Sequence, residues 1–437
     1  MISTFANIRR GVAASASTSS GASTDLLTLN VANDGTPGYK YWDINDNGFS
    51  SATYLGAFRL PDTENTGADV DFFYALPAIG ITSSTKMLVG GHAQGDSSMR
   101  IAEINIPALS TSSSLSSLNR ATYSTAFFNP VDAAPAQAAT WGNGPKIMGI
   151  KKYNGRVMVQ VYPYYDGSGI ADKSICVLND ASAPSTTAMR GFFAGTGGGS
   201  GVAHSSVWCS EIPAADKAAF GGTHVMGGSN GNAYRSVEGR NSMGPTLFVY
   251  DADQTNSIVG NNPPANGASI TYSRKMDFSQ ANVLNGSNTG AAGQQWDHCS
   301  EACYGFLVPN TDTYMVLGFD EGVEGGSTYY DPADPWGGGK GYGPLSQGDV
   351  WNAVWFFRKS EILAASNVYD PVAYERVRLI LPFEGTKLRG QQNRLIGADF
   401  DISTNKLWLA LEGVESYGIP GSLPIVLCYD FSSLVAV

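Results

Sequence analysis

The sequence predicts an all-β chain: a five-bladed β-propeller over residues 51–437, closed by an N-terminal strand and preceded by an extended arm of residues 1–50. A short strand pattern recurs along the chain, each copy opens a set of four strands, and the copies are cyclically displaced. Recurrence is weighed first because it decides the whole architecture.

Five segments align without gaps: SSTKMLVGGH (83–92), YNGRVMVQVY (153–162), FGGTHVMGGS (220–229), NTDTYMVLGF (310–319) and STNKLWLALE (403–412). Each starts with turn residues and continues as an alternating strand, as in Val157, Val159 and Val161 or Leu407, Leu409 and Leu411. Each follows a β-like apolar run: YALPAIGI, IMGI, VWCSEIP, YGFLVP or LIGADFDI. Run and segment form a hairpin whose turn carries Asn, Gly, Ser, Thr or Asp.

A third strand follows each hairpin after a longer loop: 99–107, 173–180, 246–253, 353–362 and 425–434. A fourth is visible at 122–130, 187–195, 271–279 and 374–382. The last unit lacks its fourth strand, and a matching stretch, TYLGAFRLP (53–61), stands before the first hairpin. A ring closes if that N-terminal strand completes the C-terminal blade, which also removes a long exposed sheet edge. The hairpin starts lie 67 to 93 residues apart. That is long for a four-stranded blade, so the excess is loop. A six-bladed ring with one degenerate blade is the alternative.

Composition narrows the function. Only 15% of the residues are charged and the formal net charge is −11, which makes a poor non-specific partner for nucleic acid or anionic lipid. No apolar run is long enough for a membrane span. Arg9 and Arg10 near the N-terminus are not followed by the apolar stretch that an export signal needs. Of five cysteines, Cys176, Cys209, Cys303 and Cys428 sit in apolar runs and read as small buried hydrophobes. Cys299 and Cys303 are close enough in sequence to bridge or to stay free.

In the arm, AASASTSSGAST (13–24) has too little apolar area to fold alone. Phe5, Ile8 and Val12 before it fall at helix-like spacing, with Arg9 and Arg10 on another face. The arm is expected to dock on a partner or on a second copy of the chain, making a homo-oligomer.

The blocks YLGAFRLP, MLVGGHAQGDSSMRIAEINIP, KIMGIKKYNGRVMVQVYPYYDGSG, SMGPTLFVYDAD and LIGADFDISTNKLWLAL resemble a family of propeller-like proteins from tailed-phage and aquatic bacterial genomes. The resemblance covers roughly residues 53–434 and implies a propeller in a phage or bacterial-surface setting. Its motifs are turns and strands, so it brings no catalytic residues.

Four groups of residues carry chemistry. Asp71, Glu211, Asp297, Glu301 and Asp399 stand near expected inner strands, and a propeller glycosidase needs two carboxyl groups there. DINDNG matches half of a calcium loop, with Asp43, Asn45 and Asn47 as oxygen donors and Gly48 at the turn; Tyr54 stands where the bidentate Glu belongs. The aromatic loop residues Tyr164, Tyr165, Tyr329, Tyr330, Trp336 and Tyr342 suit stacking on sugar rings. The histidines His92, His204, His224 and His298 lack metal-ligand spacing and read as ordinary hydrogen-bonded side chains. The function expected first is a non-enzymatic virion protein, a capsid or tail decoration or attachment protein at the virion surface. Its arm docks on other virion proteins and its rim loops bind host glycans. A glycan-active propeller enzyme is the alternative, and an extracellular filament or adhesin subunit the second alternative.

Overall fold

The computed structural model describes residues 40–43, 52–62, 72, 78–91, 100–130, 143–165, 173–185, 189–196, 205–229, 242–258, 268–279, 281–284, 295–296, 299–323, 326–329, 342–344, 349–384, 393–416 and 422–432. Two strands precede the repeats, β1 (Lys40–Asp43) and β2 (Thr53–Arg59). Blade one holds β3 (Ile79–Ser83), β4 (Lys86–Gly90), β5 (Ile101–Asn105) and β6 (Thr122–Phe128). Blade two holds β7 (Asn143–Tyr153), β8 (Arg156–Tyr165), β9 (Lys173–Leu178) and β10 (Met189–Thr196). Blade three holds β11 (Trp208–Glu211), β12 (His224–Gly227), β13 (Leu247–Tyr250) and β14 (Ala268–Met276).

Blade four opens with β15 (Glu301–Leu307) and β16 (Thr313–Glu321). A small ribbon of β17 (Ser327–Tyr329) and β18 (Tyr342–Pro344) then intervenes. The blade ends with β19 (Val350–Arg358) and β20 (Glu375–Ile380). Blade five is β21 (Leu395–Asp401), β22 (Lys406–Ser416), β23 (Ser422–Asp430) and the distant β2, which pairs antiparallel to β23 from Thr53 opposite Asp430 to Arg59 opposite Ile425. The first strands touch in a closed cycle: β3 meets β7, β7 meets β11, β11 meets β15, β15 meets β21, and β21 returns to β3. The fold is therefore a five-bladed propeller closed by its N-terminal strand, and the six-bladed alternative falls.

Local chemistry explains the elements. Asn154 and Gly155 both have positive φ, 48° and 75°. That is the two-residue turn whose twist suits a hairpin, and Asn-Gly is its preferred pair. Inner strands pack so closely that Gly80 on β3 admits no side chain: a Cβ there would lie 2.6 Å from Ile150 Cγ2 on β7. Core strands β4, β12, β13, β15 and β16 are almost wholly apolar and buried, as expected for sheets covered on both faces by neighbouring blades.

Outer edges are covered as well. β10 of blade two pairs in parallel with β14 of blade three, joining two blades into one eight-stranded sheet. β1 pairs in parallel with β20 of blade four, from Lys40 opposite Val377 to Asp43 opposite Ile380. Part of the sequence-predicted arm thus lies on the propeller itself as a fifth strand. Phe5, Ile8, Arg9, Arg10 and Val12 lie outside the described residues. All five cysteines are buried thiols outside any disulfide, so Cys299 and Cys303 are not bridged. Among the described residues no helix is long and apolar enough to cross a membrane.

Candidate active site at the channel mouth

The inner strands all run in one direction, so their first residues ring one end of the central channel and their last residues the other. Partway down, a buried ion pair spans the channel. Asp399 on β21 is 1% exposed. Lys151 on β7 reaches its Oδ1 at 2.7 Å and also donates to the Phe400 carbonyl at 2.8 Å. The Ile81 N–H of β3 donates to Asp399 Oδ2 at 2.8 Å. The Tyr304 hydroxyl of β15 donates to Asp399 Oδ1 at 3.3 Å and accepts the Phe400 N–H at 3.0 Å. Blades two and five are not neighbours in the ring, so the Lys151–Asp399 bond crosses the channel. One carboxylate thereby collects groups from blades one, two and four.

This cluster is a floor. Burial alone would lower the Lys151 ammonium, but the adjoining Asp399 carboxylate outweighs it and holds the group above its ordinary value. Burial, then the charge of Asp399, pushes the Tyr304 phenol well up. These groups hold their protons through neutral pH.

Above the floor lies Glu301, the first residue of β15 and 3% exposed. Across the channel stands Lys146 of β7. Burial lowers its ammonium to about 8, opposed by the charge of Glu301. Blades two and four are not neighbours either, so this coupling also acts across the mouth. Arg394, just before β21, approaches from blade five. Its Nε donates to Glu412 Oε1 at 2.5 Å, and its Nη1 lies 3.5 Å from Glu321 Oε1. Its guanidinium sits 4.7 Å over the Phe319 ring. Burial opposes its charge, but Glu412, Glu321 and then Glu301 hold it above its ordinary value.

Local backbone irregularity aims these side chains. β7, β15 and β21 each carry a register shift near their start, at Ile147/Gly149, Ala302/Tyr304 and Leu395/Gly397. A bulge inserts one residue, bends the strand and redirects the side chains beside it. Lys146, Glu301 and Arg394 each stand one or two residues before such a shift.

A second layer backs the mouth within blade four. Asp320 accepts the Ser300 hydroxyl at 2.7 Å and pairs with Arg376 at 3.2 Å. Glu384 accepts the Leu381 N–H at 3.0 Å, Asn352 Nδ2 at 3.3 Å and Arg378 Nη2 at 3.1 Å. Burial nonetheless pushes the Glu384 carboxyl up, against those donors. The rim therefore holds carboxyl groups of two kinds: Glu321 and Glu412 paired to a guanidinium, and Glu384 raised by burial.

Of the carboxylates the sequence singled out, Glu301 and Asp399 stand on inner strands facing the channel. Glu211 is at the far end of β11, paired with Lys217 at 3.0 Å. Asp71 and Asp297 lie outside the described residues. Tyr164 and Tyr165 end β8, with Tyr165 opposite Asn143. Tyr329 and Tyr342 are paired positions of the β17–β18 ribbon, while Tyr330 and Trp336 lie outside the described residues. Asp43, expected in a calcium-binding loop, is the last residue of β1, and Asn45 and Asn47 lie outside the described residues. His224 is fully buried, with Nδ1 3.1 Å from the Thr223 hydroxyl. Burial, then Lys151 and Lys217, keep its imidazole well below the ordinary value. The other three histidines lie outside the described residues. Lys146, Lys151, Tyr304 and Arg394 were missed in the sequence. Only the two lysines left a signal, KIMGIKKY (146–153), where lysines flank an apolar run that becomes an inner strand.

No family model matches this chain, and no curated protein does. Solved structures do match. A glycosyl hydrolase from Bacteroides ovatus is 9% identical, with 86% of this chain and 94% of that one covered, at a TM-score of 0.39. The Bacillus subtilis arabinanase Arb43A is 12% identical, with 87% and 98% covered, at 0.41. The α-L-arabinofuranosidase PaAbf62A from Podospora anserina, solved with cellotriose, is 8% identical, with 86% and 96% covered, at 0.32. These three are hydrolases of glycosides and none is a virion protein. The expectation of a non-enzymatic virion decoration or attachment protein is corrected: the solved structures that match are named as glycosidases. The likeness lies in the propeller and identifies no residue, so any chemistry must come from the mouth itself.

Proposed function

We propose that this chain is a carbohydrate-active enzyme that cleaves glycosidic bonds at the mouth of the propeller channel. One observation carries the reading: the channel has a buried carboxylate, Glu301, on its wall, with Lys146 opposite and two further carboxylates joined through Arg394. Glycosidic cleavage needs two carboxyl groups in different electrostatic settings, one to give a proton and one to stay charged. A guanidinium that takes Glu412 on Nε and Glu321 on Nη1 fixes the positions of both carboxylates. Glu301 projects from the inner strand, where a sugar entering the channel would meet it. The floor of Lys151, Asp399 and Tyr304 spans the channel beneath that sugar.

The test is turnover of a panel of aryl glycosides and plant polysaccharides by the full chain. Wild type is expected to release sugar. Glu301→Gln, nearly isosteric and uncharged, is expected to lose roughly 100-fold or more in kcat, the scale of one proton-transferring group, with an unchanged melting temperature. Full activity in that variant, or no turnover of any glycoside by wild type, would overturn the reading.

A further inference from the structure

On the face opposite the mouth, the hairpin ends of blades one and two enclose a groove of about 420 Å³. Pockets of roughly 300–1,000 Å³ hold small ligands. Apart from Gly155 and Ala181 its lining residues carry hydroxyl, ammonium or carboxylate groups, and the carbon stems of those side chains make up most of the surface it exposes.

Consider what the charges already bind. Glu103 is 1% exposed. Its Oε1 accepts the Thr82 hydroxyl at 3.0 Å. Its Oε2 accepts Lys86 at 3.0 Å and the Ser124 hydroxyl at 2.9 Å. Both oxygens are therefore engaged. Lys152 reaches from blade two across the seam to the Thr82 carbonyl of blade one. Asp180 uses Oδ1 for the Ser182 hydroxyl at 2.6 Å and the Ser182 N–H at 2.8 Å. Those hydrogen bonds hold its carboxyl below its ordinary value. An ammonium has three N–H donors, and each lysine spends one here. A ligand would therefore meet N–H donors on Lys86 and Lys152 and the exposed carboxylate of Asp180, which also accepts the Ala183 N–H.

The four charges, two lysines and two carboxylates, sum to zero. A neutral groove does not attract a free ion, and one whose apolar surface is broken up by charged and hydroxyl groups favours an amphipathic ligand over a wholly apolar one. The group that satisfies ammonium and carboxylate walls together is the hydroxyl, which both donates and accepts. We propose that this groove is a second, non-catalytic binding site for a neutral polyhydroxylated ligand of one or two sugar rings. It uses none of the residues of the mouth, so it stands or falls apart from the proposed activity.

The experiment is saturation-transfer NMR and calorimetry on full-length Glu301→Gln protein. Arabinose, xylose, galactose and cellobiose serve as probes, with sulfate and glucuronate as anionic comparisons. Asp180→Asn and Ser83→Ala, both exposed residues that line the groove, are added singly to the same background. Expected are millimolar binding of at least one neutral sugar, at least about tenfold weakening by Asp180→Asn as a charge-assisted hydrogen bond is lost, and unchanged melting temperatures. Binding that both substitutions leave intact would place the sugar elsewhere and overturn the proposal. So would binding of the anions alone, or of none of the probes.

Discussion

Lys151 and Asp399 form an ion pair whose members come from non-adjacent blades and sit out of water. Replacing one partner strands the other as an uncompensated buried charge. Lys151→Met is therefore expected to destabilise the chain by about 3–5 kcal/mol in urea unfolding. The double replacement Lys151→Met with Asp399→Leu should recover much of that loss, because no charge is left buried. Equal losses in the single and double variants would show that the pair is not the pin of the ring. Lys146 makes a different prediction. Its native ammonium is lowered to about 8, below the ordinary value of a lysine in an unfolded chain. Between about pH 8 and that ordinary value the unfolded chain binds the proton and the native chain does not. Stability from this residue therefore rises with pH across that window, and below about 8 the penalty of burying the charge is fully present. Lys146→Met should remove this slope from a pH series of unfolding curves. The same titration removes a positive charge opposite Glu301, so turnover should bend near pH 8 in wild type and not in Lys146→Met.

The elements show how sequence chemistry becomes architecture. Asn-Gly at 154–155 sets a tight hairpin by local conformation alone, and the alternation after it supplies a strand. Gly80 matters for a reason no local rule reveals. It lies where β3 passes β7, and Ile150 occupies the space a side chain would need. Gly80→Val is expected to cost about 1–3 kcal/mol through overpacking, read as a lower urea midpoint with the slope unchanged. A neutral result would mean that the two strands can part. The bulges at Met148, Cys303 and Ile396 are similar in kind. Each redirects a charged residue toward the mouth, and each is visible only as a register shift between paired strands.

For the whole molecule the decisive contact is β2 against β23, which ties residues more than 360 positions apart. Deleting residues 1–50 removes β1 but keeps β2. The propeller is expected to stay folded by circular dichroism, while β20 exposes an unpaired edge that promotes self-association on a sizing column. Deleting through residue 60 removes β2 as well and leaves blade five with three strands. That protein is expected to lose cooperative unfolding or to aggregate. A cooperative, monomeric product from the longer deletion would show that closure through β2 is dispensable.

The repeat was legible because each copy carries its own turn residues and its own alternation, and both act over a few neighbouring positions. The cyclic displacement of one strand was legible too, because counting strands needs no coordinates. Together these determined an all-β propeller, its blade boundaries and its N-terminal closure. Glu301 and Asp399 were legible as carboxylates near inner strands, but not as mouth and floor. That difference depends on how far along the channel each side chain sits and on what faces it from a blade two places away in the ring. Lys151 precedes Asp399 by 248 positions and Lys146 precedes Glu301 by 155. No local pattern relates residues at such separations. Only closing five sheets around one axis puts an ammonium against each carboxylate, and the burial that results decides which of them holds the fold together and which meets a ligand.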